Sequence, residues 1–544
     1  MKRFFLIFLL TICNLFSYGQ CRSLKYRIDM VHNNPGEQGY ESKFNRPDIL
    51  AEMGYNSKSY FLFDSPTLAI NWDGFDKRIM PPGSPLREWA ERKSARLHSM
   101  FNACKREGLK VYAMSDLILL PKNLVKLYHI ENTFGNPKDT LTQRILRYQI
   151  KAIFQQFPQM DGLIVRIGET YLQDAPYHQG SIVGKKDADN CIIPLLNLLR
   201  EEICEKLNKK LFFRTWWSFD LDLDKYLYIT NIVKPHPNLI ISVKHCEGDF
   251  HRGHSFSKIL GKGRHQQIVE VQCSREYEGK GAFPNYIARG VIDGFPEDDS
   301  LRHEGKPCCI RDIYKMGKLA GLWTWSRGGG WEGPYPKDEL WSEMNAWVLS
   351  AWAVNPSYSE EKLFRDYCGM YLHLDHNSTK MMRKIALLSE DACFKAFDKR
   401  WNPNNEPMGI RDMYIPFPVL PTNVDLADKL IQEQDEAVED FKQIVSLSGK
   451  IQMPDTIRQL VVRVSCLYGF QMFRIFRSLY HLAGIRQLSL PFDKALYIRE
   501  YDEAWKEVEM LAKKYPIACP SLFSKMIVRR TENQVADSIV NEMR

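Results

Sequence analysis

The chain lacks any block of positive charge long enough to act as a nucleic-acid arm. Its 74 lysines and arginines exceed its 66 acids by only 8 over 544 residues, and the excess is spread out. A polyanionic helix is thereby excluded as a natural partner. Beyond the first twenty residues no apolar run reaches the roughly 18 residues needed to cross a bilayer, so no membrane span is expected. The thirteen cysteines show no paired spacing: Cys308 and Cys309 are vicinal, Cys246 and Cys273 lie in apolar runs, and nothing reads as a zinc site or a disulfide framework. Buried free thiols are the expectation, although an exported chain could form one or two disulfides. The only triple glycine, Gly328-Gly329-Gly330, is not followed by Lys-Ser/Thr, so no phosphate loop is present. No cofactor and no metal are expected, and no internal repeat is visible.

What is present is a globular composition, 44% hydrophobic and 12% aromatic, which excludes disorder and allows two to four domains or one large barrel with a smaller partner. A small net charge does not prevent a local cationic site for an acidic ligand. Residues 1–20 read as a secretory signal: Met1-Lys2-Arg3, an apolar run from Phe4 to Phe16, then Ser17-Tyr18-Gly19-Gln20 before Cys21. The expectation is export to the periplasm or cell surface. Cys21 could carry a lipid, with Tyr18 and Gln20 departing from a small-residue lipobox.

Short apolar runs separated by helical patterns recur along the first two thirds of the sequence. The strands are read as Lys25 to Val31, Ser59 to Phe63, Val111 to Ser115, Gly162 to Ile167, Leu211 to Trp217, Leu239 to Cys246, Gln267 to Cys273 and Leu322 to Ser326. The clearest helices between them are Arg46 to Met53, Glu88 to Glu107, Leu141 to Phe157 and Asp187 to Leu207. Eight strand-helix units predict a closed (β/α)₈ TIM barrel over residues 21–355, an α/β fold. From 356 to 544 the period is helical, with stripes in Glu360 to Tyr371, Asn423 to Leu447, Asp455 to Leu482 and Ala495 to Lys514. These predict an α-helical C-terminal domain that could also form a homodimer, although helix stripes are more often core. Asn402 to Pro421, with five prolines, reads as a loop that could reach back to the barrel.

Barrel enzymes carry their reactive groups at the carboxyl ends of the strands. Strand four runs into Glu169, strand six into Lys244-His245-Cys246-Glu247-Gly248-Asp249, and strand seven into Arg275-Glu276. Strand five adds Arg214, Trp216 and Trp217, and strand eight adds Trp323, Trp325 and Arg327 ahead of Trp331. Arg166 alternates with the apolar residues of strand four and is read as pointing inward. Acids beside indoles suit glycoside hydrolysis, in which one carboxylic acid protonates the leaving oxygen and a carboxylate activates water or attacks carbon. Taken singly, each acid could equally be a solvated or salt-bridged strand end, and Arg214 and Lys244 could be ion-pair partners of those acids.

The segments Phe157-Pro-Gln-Met-Asp-Gly-Leu-Ile-Val-Arg-Ile-Gly-Glu169, Phe213-Arg-Thr-Trp216, Val243-Lys-His-Cys-Glu-Gly-Asp-Phe250 and Gln272-Cys-Ser-Arg-Glu-Tyr-Glu-Gly279 resemble the glycoside hydrolase family 67 α-glucuronidases. The resemblance implies a divergent member without the β-rich domain that precedes the barrel in that family. It implies Glu169 as general acid, Asp249 and Glu276 flanking the water of an inverting hydrolysis, and Arg214 and Lys244 as carboxylate binders. Arg166, Trp216, His245, Trp325 and Arg327 complete the expected substrate-binding set. The substrate implied is an oligosaccharide or polysaccharide fragment of plant type, carrying an α-linked glucuronic or related uronic acid removed from its end. Two alternatives stay open at this point: a retaining barrel glycosidase on neutral or amino sugars, and a non-catalytic carbohydrate-binding barrel.

Overall fold

The strands of the first domain alternate between two apolar surfaces, which sets the architecture. In Gly162–Arg166, Leu163 and Val165 join the core beneath the helices while Ile164 joins a separate core inside the sheet. A sheet buried on both faces must close or be covered. Here it closes. The computed structural model describes residues 22–32, 41–131, 135–167, 175–181, 187–216, 218–248, 250–275, 278–327, 338–397, 415–515 and 531–544.

Among these, the barrel strands are β1 (Tyr26–Val31), β2 (Ser57–Tyr60), β3 (Lys110–Asp116), β4 (Gly162–Arg166), β5 (Lys210–Arg214), β6 (Leu239–Lys244), β7 (Gln266–Gln272) and β8 (Leu319–Arg327). Each is hydrogen-bonded in parallel to the next, and β8 closes on β1 with Tyr26 opposite Gly321. Close approach at the seam between β4 and β5 needs Gly162, because a Cβ there would lie 2.2 Å from the Lys210 carbonyl oxygen. The predicted (β/α)₈ barrel is therefore the observed fold. A short antiparallel ribbon, Leu119–Pro121 with His178–Gly180, is an addition that local periodicity does not reveal.

The covering helices follow ordinary capping chemistry. Helix α1 (Pro85–Arg106) begins at Ser84, whose hydroxyl accepts from the Arg87 amide, has Pro85 in its first turn, and ends on Lys105 and Arg106. Helix α2 (Thr140–Gln156) is capped by Asp139 and buries Ile145, Leu146, Ile150 and Ile153 against the strands. The region expected as one helix from Asp187 to Leu207 is a regular helix at Ile193–Leu199 flanked by wide π turns at Ala188–Ile192 and Arg200–Lys206. Pro194 lies at the start of the regular portion and brings no N–H to it.

Helix α3 (Leu340–Val354) is almost wholly buried and links the barrel to a helical region made of α4 (Glu360–Met370), α5 (His376–Phe397), α6 (Val424–Ser448), α7 (Thr456–Leu488), α8 (Lys494–Lys514) and α9 (Thr531–Met543). The two regions share side chains. Trp341 donates from Nε1 to Ser465 Oγ at 3.0 Å, Arg458 forms two 3.0 Å bonds to Glu343, and Phe283 packs on Phe441 and Phe473. The stripes expected to be core are core, with Ala437, Phe441, Val462 and Met472 buried. The predicted signal segment, Cys21 and most of the proline-rich loop lie outside the described residues.

Candidate active site

All eight strands run the same way, so their carboxyl ends share one mouth, and side chains of one parity line the lumen. Tyr26, Ile28, Met30, Tyr112, Met114, Ile164, Phe212, Ile240, Ile268, Trp323 and Trp325 fill it as one apolar cluster. Continuing the same alternation toward the mouth, the next positions are Asp116, Arg166, Arg214, Ser242, Glu270 and Arg327, with Lys244 one step beyond Ser242. The apolar plug is thus capped by charge.

That charge is arranged in pairs. Arg214 donates from Nε to Glu270 Oε1 at 2.9 Å and from Nη2 to Oε2 at 2.7 Å, and Ser242 Oγ donates to the same carboxylate at 2.8 Å. Both side chains are essentially inaccessible, at 0% and 1%. The guanidinium also stacks over Trp325 at 4.8 Å and Trp323 at 5.5 Å. Arg166 forms the same fork with Asp116, at 2.7 and 2.9 Å. Buried bidentate pairs of this kind fix side chains firmly because each charge satisfies the other where water cannot.

Lys244 sits differently, with Nζ 3.1 Å from the centroid of Trp216 and 4.4 Å from that of Phe250. Phe250 in turn packs on Trp325 at 5.1 Å, and His32 meets Trp325 edge-on at 4.9 Å. An ammonium held on two aromatic faces beside a second indole forms a surface that can take both a sugar face and a negative group. The indole nitrogens of Trp323 and Trp325 are buried and donate to no described acceptor.

His245 follows the opposite parity. Its Nε2 lies 3.4 Å from Arg275 Nη2, and with Cys246, Arg252 and His254 it lines a small cavity outside the lumen. Burial, with the Arg275 charge second, holds its pKa well below the ordinary histidine value, so the ring is neutral. Arg275 is tied to Glu278 at 3.0 and 3.2 Å, and Asn285 bonds the same carboxylate at 2.9 Å. Arg327, at 7% exposure, helps offset the burial of Glu339.

Of the residues expected from sequence, the structure therefore brings Arg166, Arg214, Lys244, Trp216, Trp325 and Arg327 to the mouth end of the barrel, while His245 stacks on Phe250 at 6.3 Å and lines the small cavity with Arg275. Glu169, Asp249 and Glu276 lie outside the described residues, as do Trp217 and Trp331. They follow β4, β6 and β7 in sequence, and these strands are consecutive around the barrel apart from the intervening β5. Two acids were missed by sequence reasoning: Asp116, the last residue of β3, and Glu270, inside β7. The available signal was their parity with Met114 and Ile268.

Fold and mouth together define a closed parallel barrel with a charged, indole-lined carboxyl end, followed by helices. This architecture is shared with a GH138 enzyme targeting pectin rhamnogalacturonan II, at 13% identity and a TM-score of 0.55, covering 96% of this chain and 67% of that one. Looser likenesses are CpGH84B, at 10% identity and TM-score 0.42 over 96% of this chain and 77% of that one, and the Thermobaculum terrenum O-GlcNAc hydrolase, at 8% and 0.41 over 95% of each. The first establishes a common fold; the other two carry no argument. No protein-family model and no curated protein matches the chain, so family 67 stays a resemblance of motifs.

Proposed function

We propose that the chain is an exo-acting glycoside hydrolase that removes an α-linked glucuronic acid, or a related uronic acid, from polysaccharide fragments with inversion of configuration. The observation that carries this reading is the layer of cations and indoles at the carboxyl end of the lumen, on β4, β5, β6 and β8, at the same end of the barrel where β4, β6 and β7 lead in sequence toward Glu169, Asp249 and Glu276. In this scheme Glu169 protonates the departing oxygen, Asp249 or Glu276 takes a proton from water, and the water attacks the anomeric carbon from the opposite side. Lys244, on its platform of Trp216 and Phe250, meets the uronate, and Trp325 contributes an apolar face for the sugar ring. Arg214 was expected from the resemblance to bind the uronate together with Lys244. Its fork is engaged by Glu270, so its part becomes that of holding Glu270 and Trp325 in position. A neighbour that targets a pectin is in keeping with a polysaccharide substrate. Export through residues 1–20, lipidation at Cys21 and pairing of two copies through the C-terminal helices belong to the same proposal.

The test is chemical. Glu169→Gln should abolish cleavage of natural uronosides but spare substrates whose leaving groups need no proton, whereas Asp249→Asn and Glu276→Gln should impair both. Proton NMR of the first-formed sugar should give the inverted anomer. Equal loss on every substrate from Glu169→Gln, or a retained anomer, refutes the scheme. A second reading draws on the Arg214–Glu270 pair: if the mouth cations are all structural, the enzyme is a retaining glycosidase on neutral or amino sugars, and wild-type protein would then cleave glucosides as well as glucuronides.

A further inference from the structure

In the loop leading into the short helix Ile310–Lys315, the vicinal Cys308 and Cys309 fold back on Asp312. One ligand atom from each of the three residues lies within 4.8 Å of the others. This convergence is not what vicinal cysteines ordinarily do, since successive side chains on extended backbone point to opposite faces. Here Cys309 is extended at φ −158 and ψ 166, and the helix turn that follows returns Asp312 toward the pair. The Asp312 carboxylate pins the arrangement by accepting from the Cys308 amide at 3.2 Å and from its thiol at 3.7 Å. Both cysteines are buried, at 1% and 3% exposure. Gly294 leaves room beside Cys308 for the Arg302 guanidinium: a Cβ there would lie 2.5 Å from Arg302 Nη2 and 3.2 Å from the sulfur.

We propose that Cys308, Cys309 and Asp312 form a binding site for a thiophilic divalent metal ion of the zinc or cadmium class, with two thiolates and one carboxylate as protein ligands. The donor set decides the class. Two sulfurs with one oxygen suit zinc and its softer congeners and disfavour magnesium or calcium, which take oxygen shells. With metal–sulfur bonds of about 2.3 Å and metal–oxygen bonds of about 2.0 to 2.2 Å, tetrahedral ligands stand roughly 3.5 to 3.8 Å apart. The three atoms thus need to close by about 1 Å or less. A fourth position is left for water. Arg302, with Nη2 3.5 Å from the Cys308 sulfur, favours the thiolate but opposes the cation. Loaded, the site would staple the loop ahead of Ile310–Lys315, the helix that feeds β8.

The experiment titrates cadmium chloride into reduced, chelator-treated full-length protein and follows the ultraviolet thiolate-to-cadmium charge-transfer band. The expected result is one equivalent bound, with the band lost in both Cys308→Ser and Cys309→Ser and affinity weakened roughly tenfold or more in Asp312→Asn. The other cysteines supply the contrary outcome: a band unchanged in either serine variant places the metal elsewhere and overturns the proposal, as does the absence of any band. Cobalt(II) on the unaltered protein gives a check independent of variant folding. A tetrahedral spectrum with sulfur-to-cobalt charge transfer supports the site, and an octahedral spectrum without it overturns it. Neither readout depends on hydrolytic activity.

Discussion

Replacing Arg214 by methionine removes the guanidinium from a carboxylate that is 1% exposed and leaves Glu270 with Ser242 as its remaining described side-chain donor. Breaking a buried pair from one side costs about 3 to 5 kcal/mol, because the stranded charge keeps its desolvation penalty and loses its compensation. Replacing both partners with apolar residues of similar volume, Arg214→Met with Glu270→Leu, removes the stranded charge, and such exchanges range from neutral to stabilising by about 1 to 4 kcal/mol. The double variant must then forgo one acceptor for Ser242, a cost of about 1 to 3 kcal/mol. Urea unfolding of the four members of the cycle should therefore give a double variant more stable than Arg214→Met alone, with a coupling of at least about 2 kcal/mol. The same proteins assayed on matched uronosides and neutral glycosides should lose activity on both alike. A single Arg214→Met variant that unfolds at the wild-type urea concentration while losing only uronoside cleavage would refute this account and return Arg214 to the substrate.

Lys244→Met should lower kcat/KM for uronosides by roughly ten- to a hundredfold relative to the matched neutral glycosides, the value of a buried charge-assisted contact, read from paired kinetics. When the acids are located in a crystal structure with an unreactive uronoside, the carboxyl of Glu169 should stand about 6.5 to 9.5 Å from that of the base, whereas about 5 Å would mark a retaining enzyme. His178, 2% exposed in the ribbon and packed on Trp89, is driven down to about 3 by burial. Its folded value lies below its unfolded value of about 6.5, so the unfolded chain takes up the proton first. The stability from the neutral ring is full above pH about 6.5 and is lost as pH falls from there toward 3. His178→Gln should flatten that limb in urea unfolding between pH 7 and 4, and an unchanged slope would count against it.

The barrel was legible because a strand buried on both faces leaves a short apolar run between turn residues, and eight such runs fell in order. Edges were less legible where apolar residues serve something other than the ladder. The second strand was read from Ser59 to Phe63, but pairing stops at Tyr60, and Phe61 and Leu62 pass over the lumen to join its apolar plug. The fifth was carried to Trp217, yet the ladder ends at Arg214 and Trp216 is left to receive Lys244. Helix α5 escaped because its buried face is built partly of Ser378, Ser389, Ala392 and Cys393, which make a weak stripe. The cations of the mouth were found, but their partners were not. Asp116 and Glu270 reach Arg166 and Arg214 from some 50 residues away in sequence, and only the pairing of strands brings them together: Asp116 and Arg166 are register partners, and β6 alone separates Arg214 from Glu270. Local spacing carries no trace of that.

The parallel run of the strands has a consequence for orientation. The chain enters β1 through Leu24, which is hydrogen-bonded to Ala353, at the end of the barrel opposite the mouth. Arg22, Lys25, Arg264 and Lys318 surround a cavity of about 640 Å³ on that same end. Any tether attached ahead of Arg22 would draw this basic end toward an anionic surface and turn the mouth of the barrel outward, with the length of the strands as a spacer between them. A ligand too large to slip between protein and surface would then still reach the mouth.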